Sequence, residues 1–254
     1  MVIAVALIGW IAGVLVNYVS DVLPKSRKLV FPSCRMCGEK FEILNYLFFP
    51  RKCHRCHTYR TMRSWIVEIA TPISVIYLWI NPAEKLGFLL SLLLLIYFFI
   101  VIVIDIEHRL ILHPVSILGA VIGTGSGIIS HGFLMTILGG IIGFGAMYLL
   151  YQFGILFTKF VIHRQQRCID EEALGFGDVI LSGVLGLILG WPGIILGLML
   201  AILAGGLVSL FYILFTALAG RYRAFSYIPY GPFLVLGSGA LLFFSRYLSQ
   251  IFSR

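Results

Sequence analysis

Two groups of residues in this chain have the types and spacing to do chemistry. The first is cysteine: Cys34 and Cys37 form one CxxC pair, Cys53 and Cys56 a second, with 15 residues between them. Each pair offers two thiolates from one turn, and two such turns close a tetrahedral metal site. The spacing predicts a zinc ion held by Cys34, Cys37, Cys53 and Cys56. Four protein ligands leave no open position, so that zinc is structural. Two reduced turns without metal, or a site in which His54 or His57 replaces one thiolate, are the other arrangements the segment allows. Its surroundings, residues 24–64, hold few large apolar side chains and cannot build a self-sufficient core, so metal binding would supply folding energy. Cys168 stands apart in a charged stretch and reads as a free thiol.

The second group is a pair of acids. Asp105 follows directly on the uncharged run 86–104, and Asp178 lies in Gly175-Phe176-Gly177-Asp178, with apolar Val179, Ile180 and Leu181 next. An ionisable group beside an apolar span is expensive and is a functional candidate by default. Two carboxylates brought together cannot both ionise easily, so they share a proton and can activate water against a peptide carbonyl. One is then the general base; its protonated partner polarises the carbonyl and serves the leaving amine. Gly175 and Gly177 would let substrate backbone or a neighbouring helix approach Asp178. The bland alternative is that each acid begins or caps a helix end, where an N-terminus welcomes negative charge. Glu107, His108 and His113 share the Asp105 loop and either support it or are solvated. Asp170, Glu171 and Glu172 read as a solvated face that could also hold a basic peptide. Glu68, inside a weakly apolar span, is expected to find a partner among the arginines of 24–64.

The elements that must position these groups are membrane helices. The chain has 254 residues, 60 % of them hydrophobic and only 12 % charged. Soluble domains carry about 45–50 % apolar and about 25 % charged residues. This excludes an ordinary soluble enzyme, a disordered chain and a fibre. A bilayer crossing needs about 20 apolar residues. Residues 1–20, 86–104, 114–130, 133–158, 193–219 and 229–245 qualify, with 65–83 and 176–190 as weaker candidates, which makes eight helical spans. Residues 1–20 have no basic n-region or cleavage signature, so they read as a retained span. Residues 24–64 carry ten of the nineteen Lys and Arg but two of the eleven acids, and so own the whole +8 charge. Placed between spans, that charge favours anionic headgroups and cytosolic retention over nucleic acid. With eight spans and this insert inside, sixteen of the nineteen basic residues face the cytosol, as the positive-inside rule demands. Asp105 and Asp178 then share one depth near the cytosolic face. The glycines at four-residue spacing, such as Gly119/Gly123/Gly127, Gly139/Gly143 and Gly186/Gly190, predict close helix packing. The expected architecture is an all-α polytopic membrane protein: a first helix over 1–23, the four-cysteine insert over 24–64, and a bundle over 65–254.

Ordered motifs along nearly the whole chain resemble those of the bacterial type IV prepilin peptidases, polytopic aspartyl proteases of the GxGD kind. Gly13 and Asn17 with Leu23-Pro24 resemble that family's first-span signature. The CxxC pairs, with Asn45, Tyr46 and Leu47, match its cytosolic insert, and Arg63 with Val67-Glu68 the insert's exit. The stretch from Asp105 through Glu107, His108 and Ile111 is similar to the first catalytic loop, and Gly175, Gly177, Asp178 and Val179 to the second. Ile228-Pro229-Tyr230-Gly231-Pro232-Phe233 resembles the last-span motif. The resemblance implies Asp105 and Asp178 as the catalytic pair. It implies cleavage of a basic leader from type IV prepilin or pseudopilin precursors at the cytosolic face of the bacterial inner membrane. It also implies methylation of the new N-terminus with S-adenosylmethionine, assigned to the insert, and no nucleic-acid partner. A transporter or proton relay using the two aspartates, with the zinc insert as a docking module, is the competing reading. Relays commonly place acids near mid-bilayer, not near one face.

Overall fold

The computed structural model describes the whole chain except residues 29, 35, 42–45, 47–52, 58, 60, 84, 166–174, 219–228 and 253–254. Glu42, Asn45, Leu47, Cys168, Asp170, Glu171, Glu172 and Ile228 therefore lie outside the described residues. Among those described, the chain is all-helical. The eight helices are α1 Val2–Ser26, α2 Met62–Ile80, α3 Gly87–His108, α4 His113–His131, α5 Phe133–Gln165, α6 Phe176–Leu189, α7 Gly193–Leu218 and α8 Gly231–Phe252. They match the eight expected spans one for one. In lipid the backbone must satisfy its own hydrogen bonds, and a helix does so locally.

Five helices, α1, α3, α4, α5 and α7, are long and apolar enough to cross a membrane. The other three depart for separate reasons. α2 carries Arg63 and Glu68. α6 has only 14 residues, nine of them buried, because its neighbours rather than lipid enclose it. The apolar part of α8 is short, Gly231–Phe244.

The chain divides into two compact units, residues 1–83 with 87–104, and residues 84–86 with 105–254. In the first, α1 and α2 pack side by side. Their contact runs through small residues: a Cβ on Gly13 would strike Thr71 Oγ1 and lie 3.2 Å from Glu68 Cα. Beside this contact Asn17, fully buried, donates its amide to Ser64 O at 3.0 Å and to Glu68 Oε1 at 3.1 Å. Arg63 donates to Asp21 at 2.6 Å. Glu68, expected to find a partner among the arginines of 24–64, takes the short amide of Asn17, while Arg63 holds Asp21.

In the second unit α6 is the hub, packed on α4, α5, α7 and α8. A Cβ on Gly186 would collide with the Gly139 carbonyl, and one on Gly139 would fall 2.7 Å from Gly190 Cα. The glycine spacing read from sequence therefore serves backbone-to-backbone contact between α5 and α6. Ser182 Oγ ties the same seam, donating to Gly143 O at 3.0 Å.

Candidate functional site

Asp105 lies in the last turn of α3, whose end is closed by Arg109 in the left-handed region (φ 53°), its N–H donating to Asp105 O at 2.8 Å. The Asp105 side chain is 5 % exposed, and its Oδ2 is buried with no hydrogen-bond partner among the described residues. It faces the start of α8: a Cβ on Gly231 would stand 2.5 Å from Oδ2. Phe233 and Leu234 donate their N–H groups to Tyr230 O, so Gly231 occupies the first turn of that helix. The positive end of α8 therefore meets the Asp105 carboxyl.

Asp178 lies in the first turn of α6, with Gly175 as N-cap. Its N–H donates to Gly175 O at 3.0 Å, which places Asp178 among the free N–H groups of the helix start. Asp178 is 4 % exposed, and the two carboxyls lie within electrostatic reach of each other. Gly177 has another neighbour: a Cβ there would lie 3.0 Å from Ile111 Cβ, so the link between α3 and α4 rests on the start of α6. Glu107 is partly exposed and pairs with His108 at 3.7 Å.

Asp105, Asp178, Gly175 and Gly177 therefore gather in the second unit, with Glu107 two residues beyond Asp105. Sequence reasoning placed Gly231 in the last-span motif but missed its direct approach to Asp105. The available signal was the Gly231-Pro232 pair after an apolar-poor stretch, the composition of a helix start.

A second site is the cysteine cluster in the first unit. The four sulfurs of Cys34, Cys37, Cys53 and Cys56 all lie within 4.8 Å of one another. Cys34 meets Cys56, and Cys37 meets Cys53, at 3.5 Å. Four sulfurs held 2.3 Å from one ion at tetrahedral angles stand roughly 3.8 Å apart, so the spacing fits zinc. Each pair sits on a tight turn. Gly38 N–H donates to Cys34 O and His57 N–H to Cys53 O, both at 3.0 Å, with Gly38 and His57 at φ 73° and 53°. An antiparallel bridge between Ser33 and Lys40 closes the first turn. The histidines take no place in the cluster.

Comparison with known proteins gives two family matches. One, the type IV leader peptidase family, covers residues 92–210; the other, the bacterial peptidase A24 N-terminal domain, covers residues 7–81. The chain belongs to the type IV leader peptidase family. The first match contains both acids and the second all four cysteines. Among relatives, the prepilin leader peptidase/N-methyltransferase of Aeromonas hydrophila is 24 % identical over 198 residues, 78 % of this chain and 64 % of that protein. A Burkholderia pseudomallei protein of the same name is 26 % identical over 236 residues, 88 % of this chain and 71 % of its own length. The chain thus spans about two thirds of these leader peptidases. No solved structure matches it.

Proposed function

We propose that this member of the leader peptidase family is a membrane aspartyl endopeptidase. It cleaves the basic leader of type IV prepilin or pseudopilin precursors at the cytosolic face of the bacterial inner membrane, and it methylates the N-terminus so exposed. The observation that carries this reading is a pair of buried carboxyls in one unit, Asp178 in the first turn of α6 and Asp105 against the first turn of α8. Helix N-termini stabilise negative charge, and two such acids share one proton.

The reaction follows from that state. The ionised carboxylate takes a proton from water as the oxygen attacks the scissile carbonyl. The protonated carboxyl hydrogen-bonds the carbonyl oxygen as charge builds there. The C–N bond then breaks, a carboxyl gives the amine its proton, and the pair ends with the proton count it began with. Gly175 keeps Asp178 in place through its backbone, and Gly231 leaves room for Asp105.

Residues 24–64 are the methyl-transfer module in this reading and 65–254 the peptidase. Cys34, Cys37, Cys53 and Cys56 would hold zinc as a fold-determining ion. S-adenosylmethionine, when bound to this module, would supply an electron-poor methyl group for the free amine of the cleaved peptide.

The test uses purified full-length protein, a prepilin-like peptide and S-adenosylmethionine, read by mass spectrometry. Asp105→Asn, Asp178→Asn and the double variant should each abolish cleavage to the same degree, because the acids act as a unit. A peptide supplied already cleaved should still be methylated. Near-normal cleavage by either single variant, in folded protein, would end the protease reading and favour the proton relay.

A further inference from the structure

The first unit has a cleft of about 210 Å³ where α1 and α2 meet the cysteine turns, walled by Asp21, Lys25, Cys34, Tyr46, Tyr59 and Ser64 among others. We propose that this cleft holds the sulfonium and amino-acid end of the methyl donor, an inference that rests on the methyltransferase half of the function proposed above. Pockets for whole drug-sized molecules run about 300–1,000 Å³, so the space suits one end of the donor, not all of it.

The wall chemistry favours a cationic centre that carries no N–H of its own, as a sulfonium does. Tyr46 lies edge-on to Tyr18 and Phe41, with ring centroids 6.5 and 6.0 Å away, which makes an aromatic corner. Aromatic faces attract cations through the ring quadrupole. Cys34 belongs to the cysteine cluster, and four thiolates around one divalent ion carry a net charge of −2. Both features favour a positive ligand. A lysine or arginine from a substrate leader would instead need a free carboxylate. The carboxylate on this wall, Asp21, already takes Arg63 at 2.6 Å and the Tyr46 hydroxyl at 3.0 Å. A sulfonium has no hydrogen to donate and needs no such partner.

The amino-acid head has a complement as well: Lys25, exposed and one helical turn from Asp21, can meet the donor's carboxylate.

Equilibrium binding to zinc-loaded full-length protein tests the placement, with S-adenosylmethionine and its neutral thioether product S-adenosylhomocysteine as probes. Both Tyr59, 64 % exposed, and Lys25 can be changed with little risk to the fold; zinc content checks this. Lys25→Ala should weaken both probes about tenfold, the scale of one charge-assisted contact. Tyr59→Leu should weaken S-adenosylmethionine more than the thioether, because only the former is a cation. Unchanged binding of both probes in both variants would overturn the placement and leave the methyltransferase reading standing. So would equal weakening of both probes by Tyr59→Leu, or loss of leader-peptide binding with donor binding intact. If the unaltered protein bound neither probe, the methyltransferase reading would fall and take the placement with it.

Discussion

Replacing Gly231 by Ala is the sharpest test of the acid site. The added Cβ would stand 2.5 Å from Asp105 Oδ2, whereas ordinary contact begins at 3.4 Å. Carboxylate and methyl must therefore separate by about 0.9 Å. Gly231 has no left-handed backbone angle, so alanine suits its conformation and helix propensity favours the change. The strain thus falls on Asp105, not on α8. Displacing a reacting group by about 1 Å can cost 10²-fold, equivalent to about 2.7 kcal/mol of transition-state stabilisation. The assay is kcat/KM for cleavage of a prepilin-like peptide by protein whose thermal unfolding is unchanged. Gly145→Ala is the control, because nothing lies within 4 Å of a Cβ there, and it should be neutral. Cleavage by Gly231→Ala within threefold of the unaltered protein would refute the claim that this contact sets the position of Asp105.

Elemental analysis should find about one zinc per chain, as a single tetrahedral site requires, and the Cys34→Ser/Cys53→Ser variant should lose it before the helical bundle unfolds. Gly186→Ala drives a methyl into the Gly139 carbonyl and should destabilise the protein by about 1–3 kcal/mol, the range for overpacking, seen as a lower Tm in detergent. Asn17→Leu removes the amide that Glu68 and Ser64 accept and should cost about 1–3 kcal/mol; a Tm equal to that of the unaltered protein would contradict the bond's importance. Cleavage should fall at both pH extremes, since one carboxyl of the pair must be ionised and the other protonated; a flat profile from pH 4 to 9, measured as kcat/KM, would argue against the shared proton.

Much of this arrangement is legible in the residues. Apolar runs define the helices because lipid leaves the backbone one local way to satisfy itself. The cysteine cluster is legible because its ligands come in two short-range pairs. Asp105 and Asp178 are conspicuous because carboxyls beside apolar runs are costly. What was not legible are the meetings between distant parts of the chain. Gly231 lies 126 positions beyond Asp105, and its role depends on where α8 begins. The glycine spacing in α5 and α6 announced close packing but could not say that Gly139 would face Gly186. Charge was the visible cue at Glu68 and pointed to a nearby arginine; Asn17, short and uncharged in the preceding helix, carried too weak a signal for its bond to Glu68 to be foreseen.

The brevity of α6 bears on how water reaches a peptide bond in lipid. Fourteen residues rising 1.5 Å each span about 21 Å, against a hydrocarbon core of about 30 Å. Its neighbours enclose it, so the bilayer has no cause to thin, and the shortfall is left inside the bundle at one of its ends. Asp178 is at the N-terminal end and Trp191 just past the C-terminal one, and tryptophan anchors at the headgroup level. With Trp191 so anchored, the shortfall falls on the aspartate's side, where neighbouring helices rather than lipid would wall a path for water. Hydrolysis should then depend little on lipid chain length, because the gap belongs to the protein and not to the bilayer.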